Sequence, residues 1–230
     1  MNKVVDSFAQ ALAGIADGST ILLGGFGTSG TPIELMQALL DTDVKDLTLV
    51  SNSAGGGPSG LSQLIEAGKV RKLICSFARS LNTKAPTAAA FEKRYRAGEI
   101  ELELVPQGTL AERLRAAGAG MGPFFTPTAY GTKLAQGKET RVINGRGYVL
   151  EEPLHADVAF VKAHLADPMG NLTYRYAGRN FAPVMCMAAK LTIAQVDQVV
   201  AIGAIAPEFV MTPGIFVQRV IECDHVPVIP

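Results

Sequence analysis

The sequence predicts an α/β chain built on one doubly wound, mostly parallel sheet, and three observations carry that reading. Strand-like and helix-like segments alternate four times within the first 120 residues. The strand segments are mostly apolar, as in Ile21-Leu22-Leu23 and Leu73-Ile74-Cys75, where a half-exposed strand would alternate. A strand apolar on both faces needs cover on both, which places helices on both sides of the sheet. Finally, 230 residues with 48% hydrophobic and 18% charged side chains supply one large core, with an apolar excess that an interface with other chains would absorb. A single domain spanning 1–230 is expected.

Taken in order, the chain opens with an amphipathic helix over Val4–Ala16, closed by Asp17-Gly18. Four strand-then-helix units follow: Ser19–Leu23 with Pro32–Leu40, Leu47–Ser51 with Leu61–Ala67, Lys72–Phe77 with Ala88–Ala97, and Glu101–Val105 with Leu110–Ala117. From Ala119 the texture changes. Gly120, Gly122, Pro123 and Pro127 make a loop, and Arg141–Ile143 and Tyr148–Leu150 flank Asn144-Gly145-Arg146-Gly147, a hairpin signal. This small β-hairpin insert is expected at the sheet's edge. The alternation resumes with a strand at Asp157–Ala163, a helix at Phe181–Ala189, a long strand at Leu191–Val199 and a last strand at Ile215–Ile221.

Charge and composition exclude several classes. Twenty-one basic residues balance twenty-one acidic ones, so the electrostatic footprint of a nucleic-acid or anionic-membrane binder is missing. No apolar run reaches the roughly 18 residues of a membrane span. The N-terminus carries Asp6 and Gln10 within its apolar pattern and no small-residue cleavage site, which reads as a first helix of a cytoplasmic protein. Cys75, Cys186 and Cys223 form no CxxC pair and read as idle buried thiols; His155, His164 and His225 have no ligand spacing, so no metal site is expected.

The sharpest local feature is the run from Asp17 to Pro32, in which a strand enters a turn containing Gly24, Gly25, Gly27 and Gly30. Thr31 as N-cap, Pro32 at the first helical position and Glu34 at the third predict a capping box at the start of the next helix. Gly25-x-Gly27-x-x-Gly30 satisfies the dinucleotide pattern, but the next strand ends Val50-Ser51-Asn52 without the acid that would hold a ribose, and Arg71 is too distant to serve a 2′-phosphate. A purely structural reading stands beside it, in which the glycines only allow close strand–helix packing.

The same run resembles the signature of the first, or alpha, subunit of family I coenzyme A transferases. The likeness extends to Leu47–Ala54, Val105–Ala116, Phe125–Thr132, Tyr148–Ala163, Gly170–Tyr174, Arg179–Phe181 and Thr212–Val220, nearly the whole chain. It implies an open α/β sheet of Rossmann-like topology that binds no dinucleotide and has coenzyme A thioesters as substrates, with no tightly bound cofactor. It marks Gly24, Gly25, Phe26, Gly27, Thr28, Ser29 and Gly30 for CoA contact. Gln107, following an apolar strand in Val-Pro-Gln-Gly, reads either as an oxyanion donor or as part of a plain turn, with the resemblance favouring the donor, and Asn52, at a strand end, reads either as orienting the substrate carboxylate or as stabilising a turn. The nucleophilic glutamate is implied to lie in a Ser-Glu-Asn-Gly motif on a separate beta subunit, in a heterotetramer with two copies of each type of chain; the tetrapeptide does not occur here. Glu34, Glu101, Glu103, Glu151 and Glu152 read as capping, edge or ion-pair residues, and Arg113 and Arg115 as decoration of a helix.

The implied function is CoA transfer from succinyl-CoA to a 3-oxoacid, with 3-oxoadipate ahead of acetoacetate as acceptor. A non-catalytic sensor or scaffold on the same fold is the reading from another class. The loops at 53–59 and 78–90 depart from the family pattern, which places acceptor specificity there, and residues 222–230 match nothing in it.

Overall fold

The computed structural model describes residues 2–55, 60–78 and 90–223. The departing segments therefore lie largely outside the described residues, as does His225. Within the described residues the strands are β1 (Thr20–Leu23), β2 (Leu47–Ser53), β3 (Val70–Phe77), β4 (Glu101–Leu104), β5 (Phe124–Thr126), β6 (Thr140–Ile143), β7 (Arg146–Glu151), β8 (Ala156–Ala166), β9 (Leu172–Thr173), β10 (Ala189–Val199) and β11 (Arg219–Glu222). The helices are α1 (Phe8–Leu12), α2 (Ile33–Leu40), α3 (Leu61–Glu66), α4 (Ala90–Arg96), α5 (Gln107–Gly118) and α6 (Ala182–Ala188).

The main sheet runs β11-β10-β8-β1-β2-β3-β4, every pair along that path parallel, with β9 antiparallel to β8. Apolar strands bury both faces. Ile21, Leu23, Leu49 and Leu73 pack with Leu12, Leu35, Leu64 and Phe91 from α1 to α4. Leu22, Val50 and Ile74, pointing the other way, pack with Leu110, Leu114 and Met185 from α5 and α6. The doubly wound expectation holds.

Two local expectations are corrected, at the first helix and at the last strand. Only Phe8–Leu12 of the first segment is helical: Ser7 Oγ accepts from the Gln10 amide, Gln10 Oε1 accepts from the Asp6 amide, and Val4 pairs instead with Val220 as an extra parallel bridge beside β11. The β-branched Val4-Val5 pair suits that extended run. The hairpin insert forms as expected: β6 and β7 close through a two-residue turn at Asn144-Gly145, both at positive φ, and join β5 in a separate antiparallel sheet. The last strand begins at Arg219, because Gly214–Phe216 forms a 3-10 turn.

Arg113 is corrected as well, and Glu151 resolves to its ion-pair reading. Arg113 is no decoration: it is 9% exposed and joins the insert to the sheet. Its Nη1 donates to Glu103 of β4 at 2.7 Å, its Nε donates to the Glu152 carbonyl at 2.8 Å, and Glu151 lies 3.9 Å away. Glu151, 3% exposed, also receives Lys138 at 2.5 Å. Its carboxylate is a buried ion-pair member and not a solvated edge. Arg115, by contrast, is exposed beside Glu112.

Burial alone would raise the Glu103 pKa, but hydrogen bonds and charge from Arg113 and Lys72 hold it below the ordinary carboxylate value. A carboxylate depressed in the folded state adds stability above its unfolded pKa of about 4.3 and loses that contribution as pH falls through the lower folded value. Glu103→Gln is therefore expected to be less stable than the parent at neutral pH, with the difference in urea midpoint narrowing below about pH 4. A difference that stays constant down to acid denaturation would show that the ion pairs are not its source.

Candidate active site at the strand ends

The chain leaves β1 toward β2 on one side and meets β8 on the other, so the order of strands reverses at β1. Crevices outside the carboxyl ends of parallel strands form at such a reversal, and Gly24–Gly30 occupies this one. The loop is a tight hairpin: the Phe26 and Ser29 amides each donate to the other's carbonyl, at 3.0 and 3.1 Å. Asn180, just before α6, clasps it, with Oδ1 accepting from the Gly25 amide at 3.1 Å and Nδ2 donating to the Ser29 carbonyl at 2.9 Å. Sequence reasoning gives Asn180 no role, although it lies within Arg179–Phe181. At the loop tip the Gly27 and Thr28 amides make no hydrogen bond among the described residues, and the Phe26 side chain is exposed.

The capping box does not form. Thr31 Oγ1 donates to the Gly27 carbonyl at 2.9 Å, and Pro32 takes the N-cap position of α2. Gln195, buried on β10, replaces it: Oε1 accepts from the Leu35 amide at 3.2 Å and Nε2 donates to Glu34. The Leu35 amide at the helix start is thus satisfied from across the sheet.

Between the loop and the ends of β8 and β10 is a cleft of about 220 Å³ lined by Thr28, Ser29, Lys162, His164, Arg175 and Asp197, among others. Asp197 accepts from Lys162 Nζ and lies 2.9 Å from His164 Nδ1. Sequence reasoning singles out none of Lys162, His164, Arg175 and Asp197 as a site residue. The period-two placement of Lys162 and His164 at the end of an apolar strand is the signal that could have found them.

Asn52 and Gln107 meet. Asn52 ends the buried part of β2 and is 5% exposed, and Gln107 is the first residue of α5, which starts three residues before the expected Leu110. Gln107 Nε2 donates to Asn52 Oδ1 at 2.7 Å. That bond turns the Asn52 amide nitrogen, with two donors, away from Gln107. Beside them Ser76 Oγ on β3 and Thr109 Oγ1 on α5 are shut from solvent with no partner among the described residues. Cys75, next to Ser76, is no nucleophile: burial pushes its thiol up to about 12, only partly offset by a hydrogen bond to the backbone of Phe77. Cys186 and Cys223 are likewise buried, and neither forms a disulfide. Among the described residues no group of acidic, His and Cys side chains could hold a metal, and no helix is long and apolar enough to cross a membrane.

An open parallel sheet with a glycine hairpin and amide donors at its strand ends defines an α/β protein with a topological switch point, the place where open α/β sheets receive ligands. Residues 5–223 match the coenzyme A transferase family, and the chain belongs to that family. It is 60% identical over 221 residues to the A chain of 3-oxoadipate CoA-transferase from Pseudomonas putida, covering 96% of this chain and 94% of that protein. It is 50% identical over 212 residues to the corresponding chain of succinyl-CoA:3-ketoacid coenzyme A transferase from Xanthomonas campestris pv. campestris (strain B100), covering 92% and 85%. Both relatives are named as one of the subunits of their enzymes, which implies a second kind of chain in each. Among solved structures the chain resembles the acyl-CoA transferase YdiF of Escherichia coli O157:H7 in its thioester complex with CoA, with TM-score 0.83 and 23% identity. That match covers 96% of this chain and 47% of the other, so the chain spans about half of YdiF.

Gly30 and Gly27 separate packing from ligand access in the loop. Both are at positive φ, 70° and 62°. A Cβ on Gly30 would stand 2.3 Å from the Gly178 carbonyl oxygen, whereas one on Gly27 would meet nothing within 4 Å. Gly27→Ala is expected to lose about 1–2 kcal/mol, the left-handed backbone cost alone. Gly30→Ala should lose more and release the Asn180 clasp. Chemical denaturation of both variants checks the order.

Proposed function

We propose that this chain is the alpha half of a two-component, cytoplasmic CoA-transferase that moves CoA from succinyl-CoA to a 3-oxoacid, with 3-oxoadipate as the first acceptor and acetoacetate as the second. The observation that carries this reading is the hydrogen-bonded Asn52–Gln107 pair: two carboxamides at strand ends, with donors to spare and no carboxylate on them among the described residues. This is an arrangement for stabilising charge on a substrate oxygen while the nucleophile arrives from elsewhere. The name of the Pseudomonas putida relative favours 3-oxoadipate, and that of the Xanthomonas relative supports the second acceptor.

In the proposed reaction a glutamate in a Ser-Glu-Asn-Gly motif of the beta subunit attacks the carbonyl carbon of succinyl-CoA. The tetrahedral intermediate carries an oxyanion, collapses by expelling CoA thiolate, and leaves a mixed anhydride. The thiolate then attacks the glutamyl carbonyl and expels succinate, giving an enzyme thioester; a 3-oxoacid carboxylate runs the same steps in reverse. The Gln107 bond deepens the division of labour. Gln107 spends one donor on Asn52, so it holds Asn52 in place while the Asn52 Nδ2 donors, with the remaining Gln107 donor, face the oxyanion. Gly24 to Gly30 contributes the Gly27 and Thr28 amides and the Phe26 ring to CoA contact. Exposed apolar side chains such as Val142, Ile202, Phe209 and Ile215 suit burial in a heterotetramer of two alpha and two beta chains.

Co-expression with the beta subunit, followed by assay of succinyl-CoA against both acceptors, tests the reading, with borohydride trapping expected to place the thioester on the beta chain. Transfer by the isolated chain at the rate of the complex would refute the assignment of the nucleophile. Asn52→Ala is expected to lower kcat by about 10²–10³, as loss of an oxyanion donor does, and Gln107→Ala by about tenfold or more. Unchanged steady-state kinetics in either variant would remove that residue from the site.

A further inference from the structure

Among the described residues two side-chain oxygens are buried without a hydrogen-bond partner, Ser76 Oγ and Thr109 Oγ1. Shutting a hydroxyl from water with nothing to bond destabilises the folded chain, so each is held at a cost to stability. An apolar side chain of nearly the same shape would remove that cost, alanine in place of Ser76 and valine in place of Thr109. What separates the two positions is what stands next to them.

Ser76 stands next to Asn52. The register of β2 and β3 pairs Ser51 with Cys75 and Ser53 with Phe77, so Asn52 and Ser76 are lateral neighbours between those pairs. Both side chains leave the sheet on the face covered by α5 and α6: Val50 and Ile74, two residues before each, pack there with Leu110 and Leu114, and Asn52 itself bonds to Gln107 at the start of α5. Neighbouring strands are about 4.8 Å apart, a span that a hydroxyl arm and a carboxamide cover between them. Thr109 is placed differently. It lies two residues after Gln107, and helix positions two apart do not share a face; one turn further on, Arg113 reaches Glu103 of β4.

The Asn52 carboxamide has an acceptor site open. Its Oδ1 takes one hydrogen bond, from Gln107 Nε2 at 2.7 Å, and a carbonyl oxygen has two lone pairs. When negative charge develops beside Nδ2, the amide polarises and its oxygen becomes the stronger acceptor, because hydrogen bonds in a chain reinforce one another. A second donor to Oδ1 therefore contributes most in the state that carries the oxyanion. We propose that Ser76 is a positioning residue of the transfer reaction: its hydroxyl donates to Asn52 Oδ1 as the tetrahedral intermediate forms, holding the carboxamide with its Nδ2 donors toward the oxyanion. Gln107 grips the same oxygen from α5, and Ser76 grips it from β3. The inference rests on the CoA-transferase reading, with Asn52 as an oxyanion donor.

The test is a double-mutant cycle in the complex with the beta subunit, with succinyl-CoA and 3-oxoadipate as substrates. Ser76→Ala is expected to lower kcat and kcat/KM together by about three- to tenfold, the size of one neutral hydrogen bond, because the contact forms only with the oxyanion. In an Asn52→Ala background the same substitution should change kcat by less than about twofold, since the carboxamide through which it acts is gone. The urea midpoint of Ser76→Ala should equal or exceed that of the parent, and Thr109→Val should match this gain with kcat unchanged. An equal loss of kcat in both backgrounds overturns the assignment. So does a loss confined to KM, or a fall in kcat for Thr109→Val as large as that for Ser76→Ala. An active parent, sensitive to Asn52→Ala, in which Ser76→Ala keeps parental kinetics refutes this inference alone. A parent complex that transfers CoA to no acid refutes the functional reading with it.

Discussion

The burial of β1 between two parallel neighbours is the constraint from which the rest of the structure follows. Thr20–Leu23 pairs with β2 on one side and β8 on the other, and Ile21, Leu22 and Leu23 are almost fully buried against helices on both faces. A strand so enclosed has one open direction, along its own axis. The chain must leave at the carboxyl end and turn sharply, and the glycine hairpin does this. Because neighbouring connections depart to opposite sides, a crevice remains there; the cleft beside the glycine loop opens at it, and the Asn52–Gln107 pair stands at the ends of β2 and β4 on the other face of the sheet.

Side chains reaching across the fold hold that crevice in shape. Asn180 ties the loop to the segment before α6, and Gln195 on β10 satisfies both the backbone and the carboxylate at the start of α2. Arg113 performs the same service at the far edge, linking β4 to the antiparallel insert. Each is a polar group withdrawn largely from water and fully engaged, which makes the surrounding geometry specific as well as stable. The Gln107–Asn52 bond belongs to the same pattern, with the difference that it leaves amide donors to spare.

The division between occupied and spare groups gives the site its chemistry. In the cleft Lys162, Asp197, Glu34 and Gln195 are engaged in pairs, while Arg175 and the loop-tip amides have no such partner among the described residues. At the other cluster the Asn52 nitrogen keeps its donors and the nearby Cys75 thiol is kept protonated by burial. The chain therefore offers amide donors at its strand ends, which is the basis of the oxyanion role proposed for Asn52 and Gln107.

Much of this is legible in the sequence because it depends on short-range pattern. Uninterrupted apolar triplets require a sheet covered on both faces, the strand–helix alternation requires parallel pairing, and the glycine run and Val-Pro-Gln-Gly mark the turns at which Gly24–Gly30 and Gln107 stand. Contacts between residues far apart in the chain are decided elsewhere. Thr31 and Glu34 have the spacing of a capping box, but Gln195, 160 positions beyond Leu35, supplies the acceptor instead. Val4–Ala16 has helical periodicity, but pairing of Val4 with Val220 outweighs it. Arg113 falls at an ordinary helix position, and only the approach of Glu103 and Glu151 engages it in buried ion pairs. Local composition sets which backbone conformations are cheap; which polar groups find each other is set by how the packed sheet and helices bring distant strand ends together.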